Sequence, residues 1–380
     1  MVTDTNIVGR QKDLSSSLGL SNPNRTPLLS NLTSLGKVRS INNTVSSWVD
    51  YQVINTQSAL NGAIDNSVTT VNVETGTGEV FAVGQLIRIE SEIMEVTAVT
   101  ADALTVTRGQ KGTSAAAHAD TLEVFVVAEG IAEGSDFKED KFKEGANFLN
   151  YTQIVKTGLK VSGTQAAITV PSNDNKSVWD LEAIRKEKKH EGKLEEMIMQ
   201  GVAYVSGDER GCGGLTHFLD SGVVVNASAG AISLDLINSL LLPLYNRGAE
   251  LDMETYVMIV PPVQKNKISK LLKDYVTAEP RAGEVLGQVV NYIDTDYGTF
   301  PLMMSNNLPA DEIWIVNLDE ITLRPQVGAG ASDTFIDPNR TKQYNPMGKK
   351  GDYYEAEYLT EMTLEIRRVD LQGKLVNLAR

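Results

Sequence analysis

The chain has 380 residues, which is long enough for two or three domains and a sizeable core. Its formal net charge of −14 argues against a general DNA-binding surface, because such a surface needs clustered Lys and Arg. Cys212 is the single cysteine, so an intrachain disulfide and a zinc site built on several thiolates are both excluded.

Apolar residues make up 41% of the chain, an ordinary share for a globular protein. No stretch reaches the length of about 18 apolar residues that a membrane-spanning helix needs. The first residues, MVTDTNIVGRQKD, lack the apolar core of a signal peptide. We therefore expect no membrane partner and a chain that folds in a cytoplasm.

Residues 1–44 are rich in Ser, Asn, Thr and Gly, with leucines at intervals. The Asn22-Pro23 and Thr26-Pro27 pairs favour extended or turn conformations. Scattered leucines cannot form a core by themselves. Two alternatives follow: the segment is disordered, or it becomes ordered along the surface of a neighbouring molecule.

Residues 45–57 and 150–161 have a β-type composition, and we predict that they pair as the arms of a long, exposed hairpin. Residues 60–128 form a self-contained insertion between them. Its strand candidates, separated by glycines, are Val68–Val73, Leu86–Ile89, Met94–Val99, Leu104–Thr107 and Leu122–Val127. Short strands at this spacing predict a small β-barrel or sandwich.

A long helix is predicted over residues 177–205, where Ser177 and Asp180 resemble a capping box and apolar residues recur at helical spacing. A helix of that extent is about 40 Å long. Its middle, residues 185–193, has too few apolar residues to bury a continuous face. We therefore expect part of it to meet something else, such as another copy of the chain.

The glycine-dense residues 206–222 are predicted to be a flexible surface loop, because they lack the Lys-Ser/Thr pair of a phosphate-binding loop. From residue 232 to 327, helices and strands alternate, which predicts an α/β domain. The predicted elements are a helix at Leu234–Tyr245 that Pro243 kinks or ends, a strand at Thr255–Val260, a helix opened by Pro261-Pro262, and strands at Gln288–Ile293, Thr299–Met304, Ile313–Val316 and Ile321–Arg324.

The run from Asp352 to Arg368 is the clearest strand in the sequence. Apolar residues occupy one face and acidic residues the other, over a length of about 50 Å. Because this length is close to that of the long helix, we expect the two elements to pack lengthwise with their apolar sides together.

No residue pattern predicts an enzyme. His118, His190 and His217 have no metal-ligating partner at helical or strand spacing. Cys212 and His217 lie in a predicted flexible loop, which holds no fixed geometry for a nucleophile and its base. The segment IDTDYG at 293–298 fails as a calcium loop, because its Gly comes one place early and the closing Glu is missing. We expect no catalytic residue, no metal and no cofactor.

The charge pattern is more informative. Basic residues are concentrated in the middle of the long helix, and acidic residues occupy one face of the C-terminal strand. Two aromatic residues lie in the first hairpin arm. Either the two charged faces are simply solvated, or base on one subunit meets acid on its neighbour and sets the register between copies. The candidate intersubunit contacts are Arg185, Lys186, Lys188, Lys189, Lys193, Glu355, Glu357, Glu361, Glu365, Trp48 and Tyr51.

The order of these parts resembles a major capsid protein of tailed double-stranded-DNA bacteriophages, of the Hong Kong 97 (HK97) type. The stretches that carry the likeness are DLSSSLGLSNPNRTPLLSNL at 13–32, EGANFLNYTQIVKTGLKVSGTQ at 144–165 and KKGDYYEAEYLTEMTLEIRRVDLQGKLVNL at 349–378. In addition, TVTRGQKGTSAAAHADT at 105–121 resembles small β-modules of phage structural proteins. The likeness covers nearly the whole chain, and its weight lies in the order and combination of parts.

The resemblance implies an α+β, HK97-like capsid fold with a small all-β insertion domain in the E-loop. It divides the chain into an N-terminal arm (1–44), E-loop arms (45–59 and 129–165), the insertion (60–128), a P-domain spine helix and G-loop (166–222), an A-domain (223–327) and C-terminal P-domain strands (328–380). The E-loop would reach across the adjacent subunit, and the arm would lace copies together.

The implied function is self-assembly into the hexamers and pentamers of an icosahedral head that encloses double-stranded DNA without sequence-specific contacts. The chain shows no long, charged, helical N-terminal segment, so we expect a separate scaffolding protein, besides a portal and possible cement proteins. A Lys–Asn crosslink cannot be assigned. Assembly is expected in the host cytoplasm. Two alternatives stay open: an encapsulin-like cargo compartment, and a tail or adhesin component whose insertion binds a receptor.

Overall fold

The structure is a computed structural model that describes residues 26–51, 57–127, 133, 145–167, 178–252, 254–273, 292–326 and 352–380. The chain divides into two compact units. Unit 1 comprises Met1–Trp48 and Phe148–Arg380, and unit 2 comprises Val49–Asn147. No helix in these described ranges is long and apolar enough to cross a membrane.

The helices of unit 1 are α1 (Pro27–Ser34), α2 (Gly163–Ala167), α3 (Val178–Gln200), α4 (Leu215–Leu219), α5 (Leu234–Asn246) and α6 (Pro262–Lys273). Its strands, together with two that the unit boundary crosses, are β1 (Val45–Asp50), β8 (Ala146–Tyr151), β9 (Gln153–Ser162), β10 (Tyr204–Ser206), β11 (Glu209–Gly211), β12 (Val223–Asn226), β13 (Tyr256–Val260), β14 (Tyr292–Thr295), β15 (Gly298–Met304), β16 (Ile313–Asn317), β17 (Ile321–Pro325), β18 (Tyr353–Ile366) and β19 (Gly373–Val376).

Within the described part of unit 1, six strands form a mixed sheet in the order β12-β19-β16-β13-β15-β14. Every residue of β13 is buried, as expected for a central strand covered on both faces. Helix α5 packs its buried Ile237, Leu240 and Leu244 into the core of this sheet. The predicted helix at Leu234–Tyr245 is present as α5, and Pro243 lies inside it without ending it, since α5 continues to Asn246. The buried leucines on either side of the proline hold the helix in place.

A second sheet in the described residues has three antiparallel strands in the order β17-β18-β9. Strand β9 pairs with the first ten of the 14 residues of β18, from Tyr353 with Ser162 to Met362 with Gln153. The predicted pairing of residues 45–57 with 150–161 is therefore wrong, because β1 pairs with β8 instead. Alternate side chains of β9 are buried, so one face of this strand lies against the core.

Two strands lie in a different sheet from the one their sequence position suggests. Strand β17, which the sequence assigned to the α/β domain, pairs with β18. Strand β19, which was assigned to the C-terminal P-domain strands, pairs with β12 and β16 in the six-stranded sheet. Pairing between strands far apart in the chain leaves no local signal, so sequence order alone misplaces them.

Helix α3 has 23 residues and ends at Gln200, so it is about 35 Å long and shorter than predicted. Gly201 ends it at a point of close backbone approach, where an added Cβ would lie 2.3 Å from the Cys212 carbonyl oxygen. Val202 and Val205, which the predicted helix includes, are 65% and 52% exposed. Val202 precedes the β10–β11 hairpin, and Val205 belongs to its first strand.

From Gly211 onward, the glycine-dense segment is packed in the core rather than being a flexible surface loop. Cys212, Leu215 and Leu219 are fully buried, and α4 follows directly on Gly214. Asn150 fixes the segment, since its Nδ2 donates to the carbonyl oxygens of Gly213 (2.9 Å) and Leu364 (2.7 Å). The glycines allow the backbone to pack closely here. A high glycine content alone does not distinguish such packing from flexibility, so the prediction of a flexible loop was wrong for this part.

The described end of the predicted N-terminal arm lies on its own chain. Helix α1 buries Leu28, Leu29 and Leu32 in the core of unit 1. For this part of the arm, both predicted alternatives, disorder and ordering on a neighbouring molecule, are wrong, because three leucines within two helical turns form an apolar face that packs on the same chain. Residues 1–25 lie outside the described residues.

Unit 2 is the predicted β-module. Its described strands are β2 (Gln57–Ala59), β3 (Thr70–Asn72), β4 (Leu86–Ile89), β5 (Glu92–Thr100), β6 (Ala103–Thr107) and β7 (Glu123–Val127), in the order β2-β7-β4-β5-β6-β3. An isolated bridge between Leu60 and Val73 joins the two edges of this order, so the sheet closes into a small barrel. A separate apolar core fills it.

Candidate assembly surfaces

The basic residues of α3 are partly engaged by their own chain. Arg185 pairs with Glu182 at 2.7 Å, and Lys188 pairs with Glu191 at 3.0 Å. The Lys193 ammonium donates to the carbonyl oxygen of Lys156 on β9 at 2.8 Å. Exposed ion pairs of this kind contribute at most about 1 kcal/mol each, so these side chains stay available to a stronger partner.

Lys186 and Lys189 carry the remaining positive charge of the predicted patch. Lys186 is half-buried and Lys189 is exposed. The two residues are three apart on the helix and therefore lie close together on its surface. Together with Arg185 and Lys188, they form a basic stretch near the middle of α3, which we call the α3 basic patch.

The acidic face of β18 divides into two halves. Glu355 is partly exposed and pairs at 3.0 Å with Lys160, directly opposite on β9, and Glu357 is half-buried. Glu361 and Glu365 are 5% and 2% exposed. The prediction that these two carboxylates meet a neighbouring subunit is wrong, because their own chain encloses them.

Arginines, two of them distant in sequence, explain how β18 buries two carboxylates. Arg210 Nη2 donates to Glu361 Oε1 at 3.0 Å, and Thr152 Oγ1 donates to the same oxygen at 2.8 Å. Arg324 and Arg367 lie within 3.0 and 2.8 Å of Glu365. A buried charge is tolerable when it is paired and hydrogen-bonded. The alternation of apolar and acidic residues along β18 did not predict the burial of these two carboxylates, because both faces of the strand are covered in its second half.

The two aromatic candidates differ. Trp48 is buried between Phe148 and Phe218, with ring centroids 6.1 and 5.6 Å away. The prediction of an intersubunit contact is therefore wrong for Trp48, whose ring belongs to the core. Tyr51 is 70% exposed and stays a candidate.

Sequence reasoning missed Glu195, the most deeply buried acid of α3. Its side chain is 0% exposed, and its two carboxylate oxygens accept hydrogen bonds from the amides of Leu28 (3.0 Å) and Leu29 (2.8 Å). Burial raises the pKa of Glu195 to about 7, although these two hydrogen bonds act in the opposite direction. In the sequence, Glu195 is one of several acids on a charged helix, so nothing marks it.

His190 lies on the side of α3 that faces β9 and β18. Its two ring nitrogens contact the hydroxyls of Thr157 (3.1 Å) and Thr360 (2.9 Å). Burial, helped by the positive charge of Lys193, lowers the pKa of His190 to about 4. The imidazole is therefore a neutral hydrogen-bonding link between the helix and the sheet.

A buried polar cluster organises unit 2. Arg108 Nε and Nη2 donate to the two carboxylate oxygens of Glu92, each at 2.8 Å, and the His118 ring lies between Glu92 (3.0 Å) and Glu90 (2.9 Å). Burial by itself would raise the pKa of Glu92, but the hydrogen bonds from Arg108, Ala116 and His118 lower it to about 2. Charge-assisted hydrogen bonds thus hold Arg108 and Gly109, which follow β6, against Glu92 at the start of β5.

Solved capsid structures have this fold. The capsid asymmetric unit of cyanophage A-1(L) matches 100% of this chain and 100% of its own chain at 10% identity, with a TM-score of 0.63. The capsid of a native GTA particle matches 99% of this chain and 95% of its own chain at 9% identity, with a TM-score of 0.51. The fold is therefore the α+β fold of HK97-type capsid proteins, as the sequence resemblance implied.

The family model described as SU10 major capsid protein matches residues 1–379. The chain belongs to this family. No curated protein matches it. It is accordingly a major capsid protein of a bacteriophage head and a component of the virion, and it acts as a homo-oligomeric shell subunit.

Proposed function

We propose that the chain assembles into hexamers and pentamers that close an icosahedral head around double-stranded DNA. The observation that carries this proposal is the match of a phage capsid subunit to the full length of the chain. Identical subunits that repeat one set of contacts form closed shells when the rotations between them close. Its role is structural, with no catalytic step and no cofactor.

Within such a shell, we assign the six-stranded sheet with helices α5 and α6 to the A-domain, and the spine helix α3 with strands β17 and β18 to the P-domain. Unit 2 would be carried on the E-loop, whose arms include β1 and β8. The candidate intersubunit contacts that remain are the α3 basic patch, Lys193, Glu355, Glu357 and Tyr51. Their support is accessibility, since none of these side chains is buried and the described ion pairs among them are exposed surface pairs.

The partners we propose are a separate scaffolding protein, a portal, possible cement proteins and DNA that the shell contacts without sequence preference. The net charge of −14 supports the last point, because an acidic wall does not adsorb the packaged DNA. Assembly would take place in the host cytoplasm.

Negative-stain microscopy of the purified full chain, with and without a co-expressed scaffolding protein, tests this function. Closed icosahedral particles are the expected result. DNA as the contents of particles from infected cells would support a phage head, whereas a captured protein would support an encapsulin-like compartment. Tubes, spikes or a strictly monomeric chain under all conditions would contradict the proposal.

A further inference from the structure

The amino end of α1 has no cap within its own segment. Thr26 occupies the N-cap position, but its side chain makes no capping hydrogen bond. Pro27 follows it and has no N–H to donate. The first amides in need of an acceptor are therefore those of Leu28 and Leu29, whose side chains lie in the core.

Glu195 of α3, more than 160 residues away in the chain, supplies both acceptors. A carboxylate at a helix N-terminus is stabilised by the amides and by the helix dipole. At Glu195 this stabilisation comes with full burial, and no described cation makes an ion pair with the carboxylate. Burial favours the neutral acid, and the two amides favour the ionised form.

The residues that follow α1 continue the attachment. Gly36 (φ +68°) ends the helix in the left-handed region, and the Lys37 amide donates back to the Leu32 carbonyl oxygen at 2.9 Å. Residues 37–41 then run parallel to β17 through bridges at Val38 and Ile41. Residues 26–41 thus form one strap across the core, and Glu195 holds its first turn.

We propose that Glu195 is a proton-sensitive latch for this strap, which docks most firmly when the carboxyl is protonated and loosens when it is ionised. The geometry supplies the basis of such a latch: a fully buried carboxyl group with no described cation beside it holds the first free amides of α1, whereas the backbone hydrogen bonds of the strap to β17 are made by residues 37–41, beyond the helix. The proposal goes beyond the shell-forming function and concerns the strap within one chain.

The direction follows from linkage. The pKa of Glu195 is raised to about 7 in the docked state from its ordinary 4.5, which water restores when the strap undocks. Docking therefore takes up a proton between these two pH values. The contribution of Glu195 protonation to docking is fully present below pH 4.5 and is lost as the pH rises through 7. The resulting change in the docking equilibrium is on the order of a hundredfold.

Other charged groups are peripheral. Helix α1 and strand β15 carry no titratable side chain. The charged and titratable groups on the remaining elements around the latch are Glu191, Lys193 and Glu196 of α3, His217 of α4, Arg324 of β17 with its partner Glu365, and Lys37 with its partner Asp319. Among the described contacts, none of these groups makes a hydrogen bond to Glu195.

Hydrogen exchange of the unassembled full chain between pH 5 and 8 tests the latch. After division by the intrinsic exchange rate at each pH, peptides that cover residues 27–35 report the opening of the strap, and peptides that cover 256–260 in β13 serve as the reference. We expect strap opening in the wild type to increase on the order of a hundredfold over this range. Glu195→Gln should make it independent of pH, at whatever level of protection it has.

Glu196→Gln is the matched control, because Glu196 is the exposed neighbour on the same helix. It should keep the pH dependence of the wild type. A wild-type strap whose protection relative to β13 does not change with pH would overturn the proposal, whatever the variants do. So would an equal pH dependence in the wild type and in Glu195→Gln.

Discussion

The guanidinium of Arg210 donates to the buried carboxylate of Glu361 at 3.0 Å across 151 residues of sequence. This pair ties the β11 strand to the middle of β18 and makes a buried acid tolerable at a position where the sequence predicts an exposed one. Removal of the arginine leaves the carboxylate enclosed with only neutral side-chain donors, the Thr152 hydroxyl and the Gln326 amide, among the described contacts.

We expect Arg210→Ala to lower the free energy of unfolding by about 3 kcal/mol, because it strands a buried charge. Lys160→Ala is the matched control. It removes the cation of the Lys160–Glu355 pair, whose side chains are 59% and 43% exposed, and it should cost less than about 1 kcal/mol. Urea unfolding of the unassembled chain measures both values. Equal costs for the two variants would contradict a buried role for Glu361.

The close approach of Gly201 and Gly214 gives a second prediction. A Cβ at Gly214 would lie 2.6 Å from the Gly201 nitrogen and 2.7 Å from the Met197 carbonyl oxygen. Gly214→Ala should therefore destabilise the chain by about 3 kcal/mol, since rigid backbone must move to make room. Gly158→Ala on β9, with no atom within 4 Å of its added Cβ, should be neutral or slightly stabilising.

Thermal unfolding of these two glycine variants provides the measurement. A Gly214→Ala protein as stable as the wild type would show that the segment 206–222 is loose, as its glycine content alone suggests.

Glu92 makes the stability of unit 2 dependent on acid. Its pKa is lowered to about 2 from 4.5, so its contribution is present above pH 4.5 and is lost as the pH falls through 2. The loss is on the order of 3 kcal/mol. Hydrogen exchange of peptides from β4 and β5, relative to peptides from unit 1, should reveal a selective loss of protection in acid. Glu92→Gln should be less stable at neutral pH and should lack this acid-dependent loss.

The α3 basic patch yields a prediction for assembly. Lys186→Glu combined with Lys189→Glu should lower particle yield roughly tenfold or more, because like charges across a repeated contact cost several kcal/mol. Lys265→Glu with Lys270→Glu in α6 is the matched control, since it makes the same change of charge at one half-buried and one exposed lysine. Sedimentation and negative-stain microscopy measure the yield. If the two double variants assemble equally well, the patch is a solvated face.

The local elements were predictable from sequence because they depend on short-range patterns. The apolar periodicity of α5 and α6, the uniformly apolar β13 and the short glycine-separated strands of unit 2 all lie close to where the sequence places them. The order of these parts also supported the resemblance to HK97-type capsid proteins, which the fold and family comparisons confirm.

What the sequence by itself determined is therefore most of the longer helices and strands and the class of protein. The tertiary structure alone decided which strands pair and which polar groups are buried, because both depend on partners far along the chain. Strand β9 lies beside β18 rather than β1. Glu361 is enclosed because Arg210 donates a hydrogen bond to it, and Glu195 is buried because its carboxylate accepts hydrogen bonds from the first amides of α1. A periodic pattern records the polarity of a face, but the energy of burying a charge is settled by the donors that the folded chain brings to it.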